Sequence, residues 1–159
     1  MMDRRSGLVL ILLVAICLGV AAVGGWVTAG SVADWYPSLR KPSWNPPAWV
    51  FGPVWTALYL SMAIAAWLVW RRAGWPGGAR ALGLFAVQLA LNAAWSPLFF
   101  GLRSPAAGLV DIAALWFAIA ATVFAFFRIA PVAGALLVPY WLWVTFATVL
   151  NAAIWGLNR

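Results

Sequence analysis

The residues in this chain that could do chemistry are few and of an unusual kind. Gln88, Asn92 and Trp95 fall at i, i+4 and i+7, while Tyr140, Trp143, Ala147 and Asn151 fall at i, i+3, i+7 and i+11, so on helices each set shares one face. Small Ala147 leaves room beside the ring of Trp143. Two such faces turned together would line one cavity walled by indole and edged by amide, suited to stacking on a flat apolar molecule. Acid–base and metal chemistry have little to work with. The 159 residues include 13 tryptophans, three acids and no histidine. The acids are Asp3, Asp34 and Asp111, and the only cysteine is Cys17. Histidine-containing zinc sites, paired glutamates and disulfide frameworks are excluded, and no metal site is expected. Cys17 sits in an apolar run and reads as a small buried hydrophobe.

The other concentration of candidate residues is the stretch 31–48 with the Trp49 that follows it, which carries Trp35, Tyr36, Arg40, Lys41, Trp44 and Asn45 among Pro37, Pro42, Pro46 and Pro47. Proline fixes φ and removes a backbone donor, so this segment cannot continue as helix and is stiffer than an ordinary loop. It reads as a lid: flat rings, two adjacent cations and a rigid backbone over the mouth of a cavity. An interfacial aromatic belt, with the cations on lipid phosphate, is the competing reading of any single tryptophan here.

The elements that must position these residues follow from composition. The chain is 66% hydrophobic and 8% charged, against about 25% charged in a soluble domain. Its mean hydropathy is +0.96. The surrounding medium is lipid. A net charge of +7 would suggest nucleic acid if the cations formed a stripe. They stand instead in small groups between long uncharged runs, so no nucleic-acid partner is expected. A span needs about 20 mostly apolar residues, and five segments qualify: 7–28, 49–70, 81–102, 105–127 and 131–157. Short connections make neighbours antiparallel. The expected fold is an all-α integral membrane protein, a five-transmembrane-helix bundle forming one domain over 1–159.

The first segment exceeds the 7–15 residues of a secretory h-region and reads as a retained span. Arg4, Arg5, Arg71, Arg72, Arg80 and Arg128 on one side outnumber Arg40, Lys41, Arg103 and Arg159 on the other, which favours an N-terminus inside. Pro53, Pro97 and Pro139 are expected to bend their helices and open a cavity. Asp111, the one acid within a span, is expected to pair with an arginine or a backbone amide, because a bare carboxylate at that depth costs about 2.5–3.5 kcal/mol. For Gln88 and Asn92, interhelical hydrogen bonding worth about 0.6–2 kcal/mol competes with ligand contact.

The loop W-Y-P-S-L-R-K-P-S-W-N-P-P-A-W-V-F-G-P-V-W-T-A-L-Y (Trp35 to Tyr59), the segment Q-L-A-L-N-A-A-W-S-P-L-F-F-G (Gln88 to Gly101), A-G-L-V-D (Ala107 to Asp111) and P-Y-W-L-W-V-T-F-A-T-V-L-N (Pro139 to Asn151) resemble the TspO/MBR family of tryptophan-rich sensory and translocator proteins, in order over nearly the whole chain. The resemblance implies a five-helix bundle, usually a homodimer, in a bacterial cell envelope, with a pocket beneath the first loop for porphyrins, haem and synthetic benzodiazepine-type ligands. It further implies roles in tetrapyrrole transport, sensing and regulation, and in some members light-driven oxidative breakdown of protoporphyrin. Trp55 and Trp143 match the pocket tryptophans tied to that breakdown. Ala147 and Asn151 match positions lining the cavity, and Trp44 and Asn45 fall in the closing loop. No cofactor is required; porphyrin or haem enters as ligand, and haem would find no histidine as axial ligand. Eukaryotic members carry a tyrosine-bearing cholesterol motif after this asparagine, whereas here Asn151 is followed by Ala152 and Ala153 with no tyrosine before Arg159, which argues against strong cholesterol binding. A membrane scaffold, or a lipid- or sterol-binding protein without porphyrin chemistry, is the alternative.

Overall fold

The computed structural model describes residues 4–159, and among them there is no strand. Helix α1 runs Arg4–Ala33, a single turn α2 covers Trp35–Ser38, α3 runs Ala48–Ser96, α4 Pro105–Ile129 and α5 Pro131–Leu157. Four of these helices are long and apolar enough to cross a membrane. The longest supplies two crossings. At 49 residues a straight α3 would measure about 74 Å, more than twice the roughly 30 Å of hydrocarbon. It folds back instead at Gly74, where φ is 65° and ψ −174°, a conformation open to glycine alone at little cost. The Tyr59 hydroxyl donates to Asn92 Oδ1 across the hairpin, although 33 residues on a straight helix span about 50 Å. The limbs 48–73 and 75–96 are therefore antiparallel neighbours, and with α1, α4 and α5 they make the five-helix bundle expected of the sequence.

The reversal is tighter than the expected loop 71–80. One residue turns the chain, and Pro76 sits in the first turn of the second limb, where its missing N–H costs nothing. The α4–α5 connection is equally brief. Ala130, held extended at φ −145° and ψ 101°, is the only non-helical residue between them, because the following Pro131 disfavours the helical region at the residue before it. Pro53 and Pro139 are absorbed into continuous helices, and Gly74 is the one non-helical position inside α3.

Pro97 marks a real change of geometry. Residues Pro97–Gly101 form a π-turn, in which Leu102 N–H donates to Pro97 O at 2.8 Å and Ser104 N–H to Phe99 O at 3.1 Å, both i to i+5. This turn pushes Phe99 and Phe100 inward, where both are buried. Gly108 of α4 lets that happen: a Cβ there would lie 2.9 Å from Phe99 and 3.0 Å from Asn151 Oδ1. The hydrophobic core fills the other half of the bundle, with Met62, Ala63, Ala65, Ala66, Val69, Ile119 and Phe126 all at 0% exposure.

Candidate functional site

Beneath the first loop the bundle is hollow. A cavity of about 600 Å³ lies between α1, the first limb of α3, the π-turn, α4 and α5, a size typical of small-molecule pockets. Its aromatic wall comes from Phe51, Trp55 and Tyr59 on one stripe of α3, Trp95 and Phe99 near the π-turn, and Trp143 on α5. These rings buttress one another: Trp95 stacks on Phe99 with centroids 5.0 Å apart, Phe51 meets Trp143 at 5.9 Å and Trp55 meets Tyr59 at 5.6 Å. Such contacts hold broad flat faces in place while adding about 0.5–1.5 kcal/mol each beyond burial.

Polar groups are sparse and fixed. Trp95 Nε1–H donates to Asn151 Oδ1 at 3.2 Å, and Asn151 Nδ2 donates to the Pro105 carbonyl at 2.7 Å, which secures the start of α4. At the floor, Asn92 accepts from Tyr59 and donates to the Tyr140 hydroxyl at 2.8 Å, which in turn donates to Gln88 Oε1 at 2.8 Å. The indole N–H of Trp143 is buried with no acceptor among the described residues.

Of the residues singled out in the sequence, Tyr36, Asn45, Trp55, Asn92, Trp95, Trp143, Ala147 and Asn151 line the cavity. Gln88 and Tyr140 do not. They lie below its floor, as the interhelical glue of the network just described. Trp35 stands behind the wall, edge-on to Phe99 at 5.7 Å, and Trp44 packs against Phe146, itself 5.6 Å from Trp143. Trp49 is 76% exposed and faces away, as a belt residue does. The Lys41 ammonium donates to the carbonyls of Tyr36 at 2.7 Å and Leu39 at 2.8 Å and sits over the Tyr36 ring, so it caps α2 instead of standing free at the mouth. Arg40 contributes backbone: its N–H and C=O are both bonded by the Asn158 side chain at 2.9 Å. Its side chain is exposed.

The lid is therefore a folded element. The Tyr36 hydroxyl donates to Asn45 Oδ1 at 3.1 Å; burial raises the pKa of this phenol above its ordinary value, against the opposite pull of that bond, so it stays a neutral donor. Asp34 pairs with Arg103 at 2.9 Å. This overturns the expected pairing of Asp111, which is buried with Oδ2 bonded to nothing among the described residues. Arg103, left-handed at φ 51° just after the π-turn, reaches the lid and not α4.

Sequence reasoning missed Phe51, Tyr59, Phe99, Phe100 and the α1 wall of Gly24, Thr28 and Ala29. The i, i+4, i+8 spacing of Phe51, Trp55 and Tyr59 was a legible signal; the π-turn that aims Phe99 and Phe100 was not.

Fold and site together define a five-span helical membrane protein with an aromatic cavity under a proline-stiffened lid. The chain belongs to the TspO/MBR family, whose model matches residues 13–156. It is 47% identical to the "Tryptophan-rich protein TspO" of Chlorobaculum tepidum over 157 residues, 98% of this chain and 99% of that one. It is 44% identical to the human "Translocator protein", over 86% of this chain and 82% of that one, and 44% identical to the "Tryptophan-rich sensory protein" of Cereibacter sphaeroides, over 87% and 88%.

Proposed function

We propose that this protein binds tetrapyrroles, protoporphyrin and haem among them, and serves their transport or sensing in the membrane. The observation that carries this reading is the match between wall and ligand: a cavity of about 600 Å³ whose rings Trp55, Trp95 and Trp143 stand around one space with Asn45 and Asn151 at its edge and Asn92 at its floor. A porphyrin is a flat apolar macrocycle with acidic groups on one side. Stacking supplies affinity and the amides supply orientation. No histidine is available for haem iron, so the free-base macrocycle binds at least comparably.

Trp55 and Trp143 are candidates for light-dependent porphyrin loss. Dioxygen is the oxidant and the excited macrocycle is the group oxidised, its ring opening as oxygen adds, while the wall indoles, themselves oxidisable, are placed to pass an electron between the two; no general acid or base is needed. A second copy of the chain and membrane lipid are the expected partners. The test is a saturable tryptophan-quenching titration in detergent with protoporphyrin, haemin and cholesterol. Protoporphyrin and haemin are expected to quench to saturation and cholesterol to compete poorly; absence of saturation with both tetrapyrroles refutes the reading and favours a scaffold.

A further inference from the structure

The cavity is closed above and open at the side. Above, an aqueous ligand would have to break the Tyr36–Asn45 bond, the two bonds from Asn158 to the Arg40 backbone and the Asp34–Arg103 pair. At the side, every strongly exposed residue of the lining lies on α1 or the first limb of α3. They include Gly25, Ala29 and Ala33 on one helix and Ala48, Gly52 and Thr56 on the other, each set at i, i+4, i+8 along one stripe. A Cβ built on Gly25 or Gly52 meets nothing within 4 Å.

The gap has a structural cause. The neighbouring stripe of α1 is committed to the far side: the Ser31 hydroxyl donates to Phe100 O at 2.9 Å, Thr28 reaches Ser96, and Gly24 abuts the same serine. Lower down, α1 returns to the first limb, where Cys17 is fully buried in the core with Leu58 and Tyr59, and Trp67 Nε1–H donates to Ser6 O at 3.0 Å. The two helices thus meet at one end and splay at the other, leaving a slot edged by side chains no larger than valine. Both are membrane spans, so the slot faces lipid.

We propose that the cavity exchanges its ligand with the bilayer through the slot between α1 and the first limb of α3 while the lid stays shut. The molecule it takes is then one already dissolved in lipid, with its apolar body among acyl chains. The tetrapyrrole reading supplies only the ligand's identity. The test reconstitutes the full chain in nanodiscs and follows protoporphyrin exchange by stopped-flow quenching. Gly25→Leu with Gly52→Leu, both placed in open space, is expected to slow both association and dissociation by at least about tenfold, since a narrowed path raises the barrier in both directions. Asn158→Ala, which loosens the lid, is expected to leave both rates within about twofold. Wild-type exchange in the double variant, or faster exchange in Asn158→Ala, overturns the proposal. A second arm needs no tetrapyrrole: bromododecane dissolved in the bilayer quenches the cavity tryptophans, scored as the emission loss that Trp55→Phe, Trp95→Phe and Trp143→Phe remove. That part is expected to shrink in the double variant, and an unchanged value overturns the slot even if protoporphyrin binds nowhere.

Discussion

The two halves of this bundle are built from the same helices and behave oppositely. Toward Gly74, the helices carry Ala63, Ala65, Ala66 and Val69 at 0% exposure against Phe85, Phe126 and Leu137, so that small side chains let backbones come together and leave no room. Toward the lid, the corresponding turns carry Phe51, Trp55, Trp95 and Trp143, and the helices stand around a hollow. The Tyr59–Asn92–Tyr140–Gln88 network lies at the boundary. Large rings braced against one another prop a bundle open, whereas alanines close it; packing density and a binding site are alternatives set by residue size along each helix.

Four measurements sharpen or break this contrast. The largest effect is expected from Trp55→Phe with Trp143→Phe, which should abolish light-dependent loss of bound protoporphyrin by the purified protein while helicity and midpoint of unfolding stay near wild type; unchanged loss would remove the indoles from the chemistry. Next, truncation should cost stability only in the closed half. Phe126→Ala, at 0% exposure and stacked on Phe85, should lose about 3–5 kcal/mol, read from unfolding in micelles. Phe51→Ala, on the hollow side, should lose less than about 1 kcal/mol because the cavity already exists. Equal costs would mean that the two halves do not differ as described.

A smaller effect is expected at the boundary. Tyr140→Phe removes the bonds to Asn92 and Gln88 and leaves the Gln88 amide without a partner among the described residues, a cost of about 1–2 kcal/mol. Its companion readout is Tyr59→Phe, which breaks one bond of the same chain and should cost less. The smallest effect belongs to the lid: Arg103→Ala deletes an ion pair whose side chains are 54% and 60% exposed, so stability should fall by at most about 0.2–1 kcal/mol, and less at high salt.

Much of this was legible in the chain. Uninterrupted apolar runs placed α4 and α5 to within two residues, since span length is dictated by membrane thickness. Helical spacing put Trp95 on a face with Asn92, and Trp143 on a face with Ala147 and Asn151. The same spacing could not tell floor from underside: Gln88 and Tyr140 share those faces yet sit beneath the cavity, because which turn of a stripe meets the void depends on where the neighbouring helices part. Lys41 and Arg40 illustrate the limit for loops. Their adjacency in the chain puts two cations over the mouth, but the carbonyls of Tyr36 and Leu39 and the Asn158 amide, 118 residues from Arg40, engage the ammonium of one and the backbone of the other.

What the sequence by itself determined is the solvent, the number of crossings and the supply of aromatic rings, because these depend on composition and on periodicities of three to four residues. Three things waited for the tertiary structure: the one-residue reversal at Gly74, the π-turn that drives Phe99 and Phe100 inward, and the parting of α1 from α3 beside Gly25 and Gly52. Each depends on contacts between residues distant in the chain, where a glycine or a freed carbonyl permits a geometry and only packing against another helix selects it.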